Sequence, residues 1–479
     1  MGPAMKLRYI PWLLVALYVA VDHASYGYML WKSMDFPSFY WGAQVTFQHR
    51  ASPYTVDAFT AATQASGQKV YPYLYPPPSL LAFYPLSHLS YKHARLAMLG
   101  VNELCLVGFL YVFLFRIMRF GLRGPMAQIG TLAVVLYVVL SLGVARTVDH
   151  GQINLVVLLA ACLSWDAMKR GAPNVAVAAP LAFAVLLKTY PVLLVPLLVM
   201  RRRYGAAAWV GGLLAAATAL AWAVLPGSVW GDWARNVLPT GGYGQTPFNL
   251  FGPGAYGNQS INGFAARLFM EKEYKPALWY SPAAARATAY ALCGLVVAGT
   301  LAVAWWSVRR DRDQGAAAAG DVARAPRPVE PIDLEWSLAL AMTFMVAPLS
   351  WHHHLVFALP AVIVSLRLLA FLAGAAPDAA GHGRDPARAA AATFWIPPVL
   401  LAAAVTAARA HFEGMGHHGG WVLLASRHLF AVGLLWGFLA WWMWRSPRLT
   451  RRTAVASPGA RGEREPAAAR VSAATAAWP

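Results

Sequence analysis

The chain has 479 residues, of which 58% are hydrophobic and only 12% charged, and its mean hydropathy is +0.47. Soluble domains carry about twice that charged fraction, so the composition excludes a soluble globular protein and points to a multispanning membrane protein. The formal charge of +19 does not call for nucleic acid, because the basic residues cluster in short loops where the positive-inside rule and anionic head groups draw them.

Apolar runs recur along nearly the whole chain, and the hydrocarbon core needs roughly 20 such residues per helix. In order, the expected segments are Tyr9 to Leu30, Ala94 to Phe115, Pro125 to Val144, Gly151 to Met168, Asn174 to Leu187 and Pro191 to Met200. They continue with Tyr204 to Leu225, Ala287 to Val308, Leu334 to Pro348, Leu355 to Leu372, Ala391 to Ala410 and Trp421 to Trp444. This is an all-α integral membrane bundle of about twelve transmembrane or partial helices. Lys6 and Arg8 precede the first run as in a secretory signal, but the run is long and no small-residue cleavage site follows, so it is read as a retained helix. Cys105, Cys162 and Cys293 all fall inside expected spans and read as packed thiols.

Basic residues mark one set of loops: Lys6/Arg8, Arg116/Arg119/Arg123, Lys169/Arg170, Arg201 to Arg203, Arg309/Arg310/Arg312, Arg384/Arg388 and Arg445 to Arg452. They alternate correctly if both termini are cytoplasmic. The chain then divides into a first helix (1–30), a first outer loop (31–93), a transmembrane core (94–225), a second outer loop (226–286), C-terminal helices (287–445) and a basic cytoplasmic tail (446–479). The tail from Arg451 and the Ala-rich stretch Arg309 to Pro331 lack apolar periodicity and read as disordered.

The polar material lies on the other side, facing the periplasm or cell exterior from an inner or plasma membrane. Beyond the two long loops it comprises the turn Arg146 to His150, the turn Leu349 to His354 and the His-rich loop His411 to Gly420. Nucleotide-activated donors are scarce on that side, so any group transfer there needs a lipid-carried donor. In the first loop, Asp35 heads the aromatic stretch Asp35-Phe36-Pro37-Ser38-Phe39-Tyr40-Trp41. A carboxylate held at the boundary among rings is poised as a base, although an aspartate there also suits a solvated loop or a helix N-cap. Tyr71 to Pro78 reads as a rigid aromatic and proline wall at head-group level, or as a generic interfacial belt.

Asn174 to Leu187 spans only about 21 Å, short of the ~30 Å hydrocarbon core. Lys188-Thr189-Tyr190-Pro191 is therefore expected at a break between two partial helices, below the outer surface. An intramembrane lysine is costly without a partner, and the phosphate of a lipid carrier is a natural one; the alternative is a lysine snorkelling to the interface. Leu334 to Leu372 repeats the pattern, with Ser350-Trp351-His352-His353-His354 at its break. Three consecutive histidines cannot all face one way, and no cysteine partner or HExxH spacing signals zinc.

In order along the chain stand Asp35-Phe36 with Tyr40, Ser52-Pro53-Tyr54, Tyr75-Pro76-Pro77, Gly151-Gln152-Ile153-Asn154, Lys188-Thr189-Tyr190-Pro191, Asn258-Gln259-Ser260 and Pro348 to His354. With these motifs the chain resembles glycosyltransferase family 87, the polyprenol-phosphate-mannose-dependent mannosyltransferase-like membrane proteins of GT-C fold. The resemblance covers about Met34 to Pro360. It implies transfer of a sugar, mannose by the family's name, from a polyprenyl-phosphate donor to a hydroxyl of a glycolipid or glycan acceptor on the outer face, with inversion at the anomeric carbon. Asp35 is then the base. Lys188, Arg146 and one of His353 and His354 bind the donor phosphate. Tyr40, Tyr75, Gln152, Asn154, Tyr190, Asn258, Gln259 and Trp351 are candidates for the sugar.

No second acid adjoins Asp35, unlike the paired acidic motif of many GT-C enzymes, so no metal and no cofactor are expected, although Asp149 can approach Asp35 in space. Two readings from other classes remain open. A proton-coupled secondary transporter suits two broken helices with Lys188 and histidines at depth, and a metal-binding membrane protein suits His352 to His354 with His411, His417 and His418.

Overall fold

The computed structural model describes residues 10–29, 34–121, 125–246, 248, 252–270, 279–317, 328–374, 386–408 and 421–455. Among these residues every regular element is helical. A helix satisfies its own backbone polar groups, which lipid cannot do for it. Five helices are long and apolar enough to cross a membrane: Tyr91–Ile117, Tyr204–Val224, Pro282–Asp313, His352–Ala373 and Ala387–Ala407. A sixth is added if Ala127–Leu140 and Leu142–His150, bent by 42°, form one span. All the expected segments contain helix, but several are too short, too polar or too interrupted to qualify, so the count among the described residues stays below twelve.

The first half of the chain forms α1 (Ile10–Met29), α2 (Phe36–Ala43), α3 (Val56–Ser66), α4 (Tyr91–Leu110), α5 (Pro125–Leu140), α6 (Leu142–His150), α7 (Asn154–Lys169), α8 (Asn174–Leu187) and α9 (Val195–Met200). The second half forms α10 (Tyr204–Val224), α11 (Gly227–Asn236), α12 (Ile261–Phe269), α13 (Pro282–Ala317), α14 (Pro331–Val346), α15 (Leu359–Ala373), α16 (Pro386–Ala407), α17 (Trp421–Ala425) and α18 (Arg427–Val455).

The segment expected as the first outer loop is built around α2 and α3, with helical turns over 77–88. Other expectations change. Arg146 to His150 is the end of helix α6 and not a turn, because Ser141 caps a new helix that runs to a left-handed Gly151. Arg309 to Ala317 extends α13 and is not disordered, consistent with the helix propensity of its Arg, Gln and Ala residues. The tail, expected to be disordered from Arg451, continues α18 as far as Val455; the loop His411 to Gly420 and the tail beyond Val455 lie outside the described residues.

α14 is the central helix, with every residue from Ile332 to Val346 buried. It packs against α13, α15 and α18. Its Trp336 stacks on Trp165 of α7 at 5.8 Å. Two carboxylates near its start could not be buried unpaired. Asp333 accepts Lys169 Nζ at 2.8 Å and Trp165 Nε1 at 3.0 Å. Glu335 accepts Arg201 Nε at 2.7 Å and Nη2 at 2.8 Å, and Ser307 Oγ at 2.9 Å. These bonds tie α14 to α7, to the end of α9 and to α13. Removing one partner of such a pair costs about 3–5 kcal/mol, whereas replacing both by apolar groups is often neutral. Glu335→Ala should therefore lower the thermal midpoint of the detergent-solubilised protein markedly, and Glu335→Leu combined with Arg201→Met should restore most of it.

Candidate active site

Interrupted helices bring the polar residues together. α5 stops at Leu140, and Ser141 starts α6 by accepting the Val144 amide. α6 then lies along the 3-10 turn His352–Ala358. Gly143 makes that approach possible, since a Cβ there would stand 2.7 Å from the Val356 amide nitrogen. Thr147 Oγ1 of α6 and Asn154 Nδ2 of α7 both donate to the His353 carbonyl, at 3.1 and 3.0 Å. The histidine turn is thus fastened to the same two helices that flank His150 and Gln152.

Asp35 occupies the N-cap position of α2 but makes no side-chain cap bond. Its carboxylate turns instead to His150, whose Nδ1 donates to Oδ2 at 3.2 Å. The backbone amide of Asp35 donates to the His150 carbonyl at 3.3 Å. His353 Nδ1 stands 3.9 Å from the same Oδ2. Gln152 is the smallest of the influences that hold the Asp35 pKa down, and its Oε1 accepts Tyr75 OH at 3.4 Å. Burial pushes the Asp35 pKa up, but the His150 hydrogen bond and the His353 and His150 rings outweigh it and bring the value down to about 2. Asp35 is therefore ionised at neutral pH while its side chain keeps 26% of its exposure. Burial and the neighbouring Asp35 charge raise the Tyr75 pKa, so Tyr75 stays a neutral phenol.

α8 ends at Leu187, and Lys188 is extended before the 3-10 turn Tyr190–Leu194. The expected helix break is present at this point. Lys188 is 4% exposed, so its side chain does not reach out to water. Its Nζ lies 3.1 Å from His354 Nε2 and 5.5 Å above the Tyr75 ring. His354 Nδ1 accepts the Trp351 amide at 3.0 Å, which places the proton of a neutral ring on Nε2. An ammonium offers only donors. The Lys188 contact is therefore a hydrogen bond only if the lysine gives up a proton. With the lysine charged, two donors converge on one position, and an anionic oxygen is the acceptor they lack.

The other expected residues divide. Tyr190 stands at an angle to His354 at 5.9 Å and to Phe357 at 5.1 Å, walling this position. Trp351 packs close to Gly257, where a Cβ would come within 2.5 Å of its ring. Tyr40 donates to the Leu89 carbonyl at 3.0 Å and holds α2 to the following segment. Arg146 pairs with Asp149 at 3.1 Å, so the one acid of this helix engages a cation on its own element.

Asn258 and Gln259 are fully buried, and their bonds are those of loop anchors. Asn258 donates to Pro253 and Pro348 carbonyls and accepts from Ser350 and Ser260. Gln259 donates to Tyr256 and Ala425 carbonyls and accepts the His428 amide. Both amides have their hydrogen-bonding capacity committed within the protein.

His150 was not among the expected site residues. The polar run Arg146 to His150 directly before Gly151-Gln152-Ile153-Asn154 was the available signal for it. Asp35, His150 and His353 form the group among the described residues able to hold a metal, their ligand atoms lying within 4.8 Å of one another. Around zinc, with bonds near 2.1 Å, tetrahedral ligand atoms stand about 3.4 Å apart. Asp35 to His353 at 3.9 Å is wider, and the shorter contact is already a hydrogen bond, so the set fits a hydrogen-bonded carboxylate better than a preformed metal centre.

An all-helical membrane protein with a carboxylate, histidines and a lysine gathered at its helix breaks belongs to the class that carries buried polar chemistry between helices. The model of glycosyltransferase family 87 matches residues 73–324, more than half of the chain, and the protein belongs to that family. It is a membrane glycosyltransferase, which sets aside the transporter and metal-binding readings. Tyr75, Gln152, Asn154, Lys188 and Asn258 lie within the matched residues, whereas Asp35 and His353 lie outside them. Among curated proteins and among solved structures nothing matches.

Because the His150 hydrogen bond is the largest influence lowering the Asp35 pKa, His150→Ala should raise it. Infrared titration is expected to show Asp35 as carboxylate throughout pH 5–8 in the wild type. In His150→Ala a protonated carboxyl band should appear at higher pH than in wild type, and it should vanish on adding Asp35→Asn.

Proposed function

We propose that the protein is an inverting glycosyltransferase that moves a sugar, mannose by family resemblance, from a polyprenyl-phosphate donor to a hydroxyl of a glycolipid or glycan on the outer face. In this reading both termini are cytoplasmic, the helices cross about twelve times wholly or in part, and the site opens to the periplasm or cell exterior. The observation that carries it is the convergence of Lys188 Nζ and His354 Nε2 at 3.1 Å, with the Nδ1 of His354 already occupied. Such a pair accommodates a phosphate oxygen and supplies two charge-assisted or polarised donors to it.

The acceptor oxygen attacks the anomeric carbon as the bond from that carbon to the phosphate oxygen breaks, through an oxocarbenium-like transition state. The bonding pair leaves with polyprenyl phosphate, whose growing negative charge Lys188 and His354 stabilise. The hydroxyl proton passes to the Asp35 carboxylate as the new bond forms. A single displacement inverts the centre, so a β-linked donor yields an α-linked product. Asp35 is a weak base at neutral pH, and it suits a transition state in which the attacking hydroxyl turns acidic only once bonding is advanced. In this reading Tyr75, Gln152 and Tyr190 meet the sugar, while Arg146, Tyr40 and Trp351 act on the frame around it.

Transfer from labelled polyprenyl-phosphate mannose to membrane glycolipids tests the reading. Asp35→Asn should cut turnover by about 10²–10⁴-fold with donor affinity kept. Lys188→Ala should weaken donor binding by about 10- to 100-fold, the size expected for a lost charged hydrogen bond. Normal transfer by Asp35→Asn, or unchanged donor affinity in Lys188→Ala, would overturn the respective assignment.

A further inference from the structure

Arg95 lies in the second turn of α4 and is fully buried at 0% exposure. Placing a guanidinium inside a helical bundle is costly unless its surroundings employ it. Its Nη2 donates to the Asp149 carbonyl at 3.3 Å, and its Cζ lies over the Phe36 ring, 5.1 Å from the centroid. At Gly151, which has a left-handed φ of +62°, a Cβ would stand 2.0 Å from Arg95 Nη1 and 2.8 Å from Phe36 Cβ. Asp149 and Gly151 flank His150, and Phe36 follows Asp35. One side chain therefore touches both neighbours of His150 and the neighbour of Asp35, across the junction where the Asp35 amide meets the His150 carbonyl.

We propose that Arg95 is a positioning residue that clamps the 149–151 turn against Asp35-Phe36 and so sets the approach of His150 to the Asp35 carboxylate. Its bearing on turnover rests on the reading of Asp35 as the proton acceptor. The clamp needs two features together: a planar cation that lies over Phe36 while reaching a carbonyl, and a glycine at 151 that leaves room for it. Lysine keeps the charge but has neither the plane nor the fork. Lys188 and His354 are not part of the clamp, so its loss leaves the donor-phosphate contacts in place.

The full-length enzyme in detergent or vesicles serves for the test. Arg95→Met should lower kcat by about 10- to 100-fold, the scale of an ångström misplacement at a reacting group. The KM for donor should stay within about twofold, and Arg95→Lys should recover only part of kcat. Gly151→Ala should show the same split. In an Arg95→Ala background, which removes the nearer clash and leaves the one with Phe36 Cβ, Gly151→Ala should cost less than it does in the wild type. Arg95→Met should also shift the infrared titration of Asp35, a readout that needs no turnover and so separates this inference from the assignment of Asp35 as base. Should Arg95→Met fail to fold, Gly151→Ala carries the same two readouts with the arginine retained. An unmoved Asp35 titration together with unchanged kcat, a parallel loss of donor binding and kcat, or a fully additive Gly151→Ala cost would overturn the proposal.

Discussion

The approach of α6 to the 3-10 turn His352–Ala358 is the contact on which the site depends. Backbone meets backbone there, since at Gly143 even a methyl group would press on Val356. From that contact Thr147 and, one helix later, Asn154 reach the His353 carbonyl. His150, at the end of the same helix, is carried to Asp35. Non-helical backbone inside a membrane bundle must find its hydrogen bonds within the protein. Here the segments that break the helices satisfy that requirement partly through one another, which is why their side chains share one site.

Two kinds of buried charge divide the molecule. Near the start of α14, Asp333 and Glu335 are matched to Lys169 and Arg201 with short bonds and additional donors. Such closed networks hold helices and leave nothing for a ligand. At the helix breaks the balance differs. Asp35 has histidines on one oxygen and keeps part of its surface, and Lys188 faces a ring nitrogen that already carries a proton. Groups arranged with capacity remaining are the ones able to meet a substrate, and in the reaction proposed above those capacities correspond to a hydroxyl proton and a leaving anion.

Much of this was legible along the chain. The shortness of Asn174 to Leu187 against the bilayer thickness places a break at Lys188, and the break is there. The acid among aromatic residues marks Asp35. Other residues misled for identifiable reasons. Asn258 and Gln259 have the amides expected of sugar contacts, yet polar loops need anchors of the same chemistry, and only the partners distinguish the two uses. Arg146 to His150 read as a turn because its polar residues end the apolar run, while Ser141 and Gly151 enclose it as a short helix. Arg95 was hidden inside an apolar segment, where one cation does not disturb the hydropathy of a span.

The sequence by itself determined the membrane class, the helical segments, the interrupted pairs and the residue types that bear chemistry, because hydropathy, proline and charge act locally and leave a periodic record. It also carried the family, through motifs spaced in order. Only the tertiary structure decided which of three histidines turns to which partner, since that depends on the sense of a 3-10 turn and on a hydrogen bond from Trp351 to His354. It likewise decided that Asp35 bonds to His150 and does not cap its own helix. The two residues are 115 positions apart, and they meet because Gly143 and Gly151 allow a closeness that no local pattern encodes.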